Sequence, residues 1–152
     1  MATSSNDKPL KLVSAEEENR VNRNMLVWLN SYEGKPVDVI RYEELTADTV
    51  AMALSTIQGT YITARYILGG HKAEYQFKLI YRIKPNSSID KRLQADEMLD
   101  TIGDWAEQNW PDLGDGIQVT SLEVTARASL FAAYDNGDED HQILMEMTYE
   151  VI

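Results

Sequence analysis

The strictest constraint on this chain is the alternation that runs from Tyr61 to Lys84. Tyr75, Phe77, Leu79, Tyr81 and Ile83 alternate with Glu74, Gln76, Lys78, Arg82 and Lys84. Upstream, Ile62, Ala64, Tyr66 and Leu68 alternate with Tyr61, Thr63 and Arg65. A period of two places one set of side chains on each face of a strand, so the chain must fold around a half-buried sheet. Gly69-Gly70 supplies the positive φ of a two-residue hairpin turn. That turn pairs Leu68 with His71, Tyr66 with Ala73, Ala64 with Tyr75 and Ile62 with Phe77. Both apolar sets then share one face, with Arg65 opposite Glu74 and Thr63 opposite Gln76 on the other. A slip of one residue would send one apolar set to solvent.

A second alternation closes the chain. Ile117 to Tyr134 reads as a long strand with Leu122, Val124, Ala126, Ala128, Leu130 and Ala132 on one face. Gln142 to Ile152 answers with Ile143, Met145, Met147, Tyr149 and Val151. A loop from Asp135 to Asp140 pairs Ala132 with Ile143, Leu130 with Met145, Ala128 with Met147 and Ala126 with Tyr149. Small residues then face large ones.

Two helices cover such a sheet. Ser14 to Tyr32 carries Val21, Met25, Trp28, Leu29 and Tyr32 at helical spacing. Ser14 caps it, Glu17 fits a capping box, and Gly34 and Pro36 end it. Ile89 to Trp110 follows Pro85-Asn86-Ser87-Ser88. Its apolar side is Leu93, Ala95, Leu99, Ile102 and Ala106; its acidic side is Asp96, Glu97, Asp100, Asp104 and Glu107. Val37 to Tyr42 reads as a short extended segment. Val50 to Gln58 reads as a strand with Met52 and Leu54 on one face, although Ala51 and Ala53 also suit a helix. The expected class is α+β: an antiparallel or mixed sheet built from two hairpins, with two main helices on one face. Residues 1–13 form a polar arm, expected to be flexible, and residues 14–152 a single domain.

Composition removes several function classes. No apolar run approaches the ~20 residues of a membrane span. The polar N-terminus lacks the apolar segment of a signal peptide. The chain has no cysteine, which excludes disulfides, thiolate metal sites and thiol nucleophiles. The net charge of −11 is uneven: residues 1–92 carry 13 bases and 11 acids, residues 93–152 one base and 14 acids. An acidic half of this kind does not grip phosphate backbones. It suits solubility, a basic partner, or a surface that nucleic acid passes without sticking.

Catalytic chemistry finds little to build on. His71 and His141 sit at expected hairpin ends and read as solvated, with no orienting acid for a Ser-His-Asp set. The run from Asp135 has Asp140 where a calcium loop needs glycine. No enzyme activity, cofactor or metal is expected, and an assembly role fits better.

The order of parts resembles known proteins. It consists of a helix ending Met25-Leu26-Val27-Trp28-Leu29, the hairpin from Tyr61 to Ile83, and an acidic helix with Trp105 to Trp110. The turn Pro111-Asp112-Leu113 and a closing hairpin from Val119 to Ile152 complete it. In this the chain resembles the tail terminator, tail completion and minor capsid proteins of long-tailed bacteriophages, over roughly residues 15–152. The resemblance implies a virion protein, assembled in the bacterial host cytoplasm, that forms a ring, commonly of six copies. Such a ring caps the tail tube and meets the head-side connector, and DNA passes through it without sequence-specific binding and without a membrane. Contacts are expected at loop tips: Gly69, Gly70, His71 and Lys72 at one, and Asp135, Asp138, Asp140 and His141 at the other. Arg65 and Lys78 would meet the acidic helix of the next subunit. The alternatives are a head-closure or minor capsid component at the same junction, or a small-ligand-binding or enzymatic α+β domain.

Overall fold

β4 (His71–Ile83) is the axis of the sheet. The computed structural model, which describes residues 11–46 and 50–152, pairs it with strands on both sides. β6 (Glu139–Val151) runs antiparallel along its whole length, and β5 (Ile117–Ala133) lies outside β6. The other side of β4 is shared. β2 (Ala51–Thr56) takes Phe77 to Arg82, and β3 (Tyr61–Arg65) takes His71 to Glu74. β1 (Arg41–Tyr42) adds a short parallel pair outside β2, which makes the sheet mixed. Residues 1–10 of the expected arm lie outside the described residues. Leu12 bridges Tyr61, and Val13 is buried in the core.

The odd-numbered residues of β4 and β6 build the core. Tyr75, Phe77 and Leu79 lie opposite Met147, Met145 and Ile143, all fully buried on one face. Both helices cover that face. α1 (Ala15–Asn30) starts at Ser14, whose Oγ accepts the Glu17 N–H at 3.1 Å, and buries Val21, Met25, Trp28 and Leu29. α2 (Ile89–Gln108) starts at Ser88 and buries Ala95, Leu99, Ile102, Gly103 and Ala106. Trp28 stacks on Trp105 with centroids 5.0 Å apart, which ties α1 to α2. A side chain at Gly103 would strike Ile143 and Val124, so the glycine lets α2 lie close on the sheet.

Several expectations need correction. The sheet is more than two hairpins: β3–β4 and β5–β6 adjoin through the β4–β6 ladder, and β2 with β1 extends it beyond β4. The first turn is longer than Gly69-Gly70. β3 ends at Arg65, opposite His71, and Ile62 faces Ala73 rather than Phe77. Phe77 is unavailable because Thr56 of β2 already holds that position. Tyr61, not Arg65, lies opposite Glu74, and the ladder slips between Ile62 and Ala64. The capping box is also incomplete: the Glu17 carboxylate is bonded to His71 and Tyr149.

The closing hairpin is shifted too. β6 begins at Glu139, and Ala132 faces Asp140, not Ile143. β5 spends 17 residues against the 13 of β6, with four register shifts along the way. Each shift is a bulge that moves the following residues to the other face. Leu122 and Val124 therefore share the face of Met147 and Met145, whereas Ala126 falls opposite Leu144 on the other face. Leu93 lies outside the helix core and is exposed.

Candidate interaction surfaces

The β3–β4 loop projects aliphatic side chains into solvent. Tyr66 donates its N–H to the Gly70 carbonyl and accepts from Gly69, closing a loop of five residues. Gly69 and Gly70 have φ of 96° and 86°, and Gly70 also packs against the Val151 carbonyl where no Cβ fits. Ile67 is 90% exposed and Leu68 fully exposed. Gly69 and Arg65 are exposed, while Gly70, His71 and Lys72 are half-buried. His71 is not a free surface histidine. Its Nε2 lies 3.0 Å from the Glu17 carboxylate, which also accepts the Tyr149 hydroxyl at 2.6 Å. Burial and that carboxylate push the Tyr149 phenol far above its usual range.

The start of β6 reverses the expectation of an exposed charged tip. Asp135, Asn136 and Gly137 are exposed, but Asp138, Glu139, Asp140 and His141 are each 6% exposed or less. Their charges alternate between the two sheet faces and find partners on each. On the bare face, Arg82 donates two parallel bonds to Asp140 at 2.7 and 2.8 Å, and the Tyr134 hydroxyl adds a third at 2.7 Å. Lys84 lies 2.8 Å from Asp138. On the helix face, Arg92 of α2 donates to Glu139, and its guanidinium holds that carboxyl below the usual range. The His141 ring lies between Asp96, 2.7 Å from Nδ1, and Glu139, 3.2 Å from Nε2. Both ring nitrogens are thus engaged within the chain.

The acidic side of α2 is also engaged with its own chain. Asp100 accepts the Ala128 N–H at 3.0 Å and Glu107 the Val124 N–H at 2.9 Å. Asp104 lies 3.5 Å from Arg127. These carboxylates anchor the bulged β5, so the charge excess of residues 93–152 is partly internal scaffolding rather than free surface. Asp112 is likewise occupied by the Gly114 N–H.

Among the described residues, the second face of the sheet carries no helix. Lys78 sits over the Phe131 ring at 4.5 Å, and Arg82 over Tyr134 at 4.9 Å. Gln76, Glu146 and Glu123 lie in register across β4, β6 and β5. Partial burial, with Glu74 and Glu123 nearby, raises the Glu146 carboxyl above its usual range. Sequence reading missed Glu17, Arg82, Arg92 and Asp96 as partners. The available signal was the continuation of charge at Arg82 and Lys84 on the polar register of β4.

The space between sheet and helices, where a small-ligand domain would keep its pocket, is filled by Tyr75, Tyr149, Trp28 and their neighbours. An open cleft of about 260 Å³ lies outside it, lined by Asn19, Asn22, Arg23, Leu26 and Tyr42. No protein-family model matches this chain, and no curated protein matches it in sequence.

Proposed function

We propose that this protein is a structural subunit of a long-tailed bacteriophage, forming a ring that caps the tail tube and joins it to the head side. The observation that carries the reading is the helix-free sheet face with Glu74, Glu123 and Glu146 grouped at its middle. Arg82 and Lys84 on the same face are paired with Asp140 and Asp138, so the carboxylate cluster, turned toward a channel, repels a phosphate backbone and lets DNA slide. The α+β fold and the order of its elements support the same reading, as does the apolar tip at Ile67 and Leu68, a natural contact for another protein. Tail-tube and connector proteins are the partners this role requires.

The test is native mass by light scattering across a concentration series, with negative-stain images of the largest species. Six copies of a 17.3 kDa chain weigh about 104 kDa. A ring of that mass with a central hole is the expected result. A monomer at every concentration, also in the presence of tail tubes, counts against it.

A further inference from the structure

Two groups of exposed aliphatic side chains lie at opposite ends of β4. At one end are Ile67 and Leu68 of the β3–β4 loop. At the other, Ile89 and Leu93 lie one turn apart on α2, 72% and 57% exposed. Leu130 of β5 belongs with them: it is half-exposed and pairs with His141, whose ring bonds Asp96 one turn further along α2. The two ends are joined by β4, which leaves the loop at His71 and reaches Ile83 shortly before α2 starts. Twelve strand steps span about 40 Å. A copy cannot place its own loop on its own α2.

We propose that the Ile67–Leu68 loop of one copy docks on the Ile89–Leu93 stripe of α2 in a second copy, so that copies associate head to tail. Charge supports this pairing. Arg65 is exposed at the base of the loop, and Glu97 is exposed one turn beyond Leu93, with Asp90 beside Ile89. Lys91 lies on the other flank of α2, where it lines a cleft with Lys84, Gln94 and Met98. The contact joins two different patches, so it propagates in one direction and closes into a ring when the rotation allows. The inference rests on the ring reading above and names the surfaces that build it.

The chain has no cysteine, which makes the test clean. Leu68→Cys and Leu93→Cys replace exposed side chains and are made singly and together, then treated with a short bis-maleimide cross-linker. Native folding of each is checked by circular dichroism. The double variant should give a ladder of covalent oligomers that stops at the ring mass, and each single variant should remain one chain long. Arg65→Glu and Glu97→Arg should each weaken assembly at least tenfold, and the pair should restore it. A wild-type ring with no ladder, or with cross-links in a single variant, overturns the docking and leaves the ring reading standing. A wild-type monomer under all conditions, with no ladder, removes both.

Discussion

The ends of the two β-hairpins invert each other. The β3–β4 loop carries Leu68, which the alternation places on the apolar face, and holds it in water beside Ile67. The β5–β6 end carries Asp138, Glu139, Asp140 and His141, residues that read as loop, and buries them. Hydropathy alone misplaces both. Burial at the second end is set by partners: Arg82, Lys84, Arg92 and Tyr134 arrive where the three carboxylates need them, and Asp96 of α2 meets His141. Exposure at the first end is set by competition. β2 occupies the central positions of β4, so β3 pairs only near its start and the remaining residues must turn outside.

This inversion can be broken from the buried side first. Asp140→Ala leaves Arg82 and the Tyr134 hydroxyl facing a void. Removing one member of a buried pair costs about 3–5 kcal/mol, which a urea titration reads as a fall in midpoint. Glu139→Gln is the next largest, with a loss of about 1.5–3 kcal/mol at pH 7 for a charged hydrogen bond. Its pH dependence follows from the depressed carboxyl. The folded state holds that proton less tightly than the unfolded chain. Its stabilisation is therefore complete above the ordinary carboxyl range and disappears as pH falls through the lower folded value. The wild-type and Glu139→Gln curves should converge in acid. Convergence on the alkaline side instead would contradict the Arg92 pairing. Leu68→Ser should be smallest, within about 0.5 kcal/mol on the folding of one subunit, because no described residue covers that side chain.

Local patterns in the sequence carry most of the elements. The cap at Ser14 and the stripe of Val21, Met25, Trp28 and Leu29 need only neighbours within a few turns, and they stand as expected. The same holds for Tyr75, Phe77 and Leu79 on β4 and for Ile143 to Tyr149 on β6. What stayed hidden depends on distant partners. The expected Ile62–Phe77 pair looked consistent until β2 claimed Phe77. The expected fixed alternation of β5 failed because bulges are set by how α2 grips the strand, through Asp100 and Glu107. Of the contact residues expected at tips, Asp138, Asp140 and His141 are interior. Gly69 and Arg65 are exposed, and Lys78 lies on the bare face against Phe131.

The mismatch between β5 and β6 has a consequence of its own. An edge of 17 residues joined to a seam of 13 is a hem cut too long, and it ruffles. Its amides and carbonyls no longer form an even row, and α2 already holds two of the amides. A foreign strand looking for a straight border to zip onto finds none there. The longest margin of the molecule is thereby a poor template for side-by-side stacking.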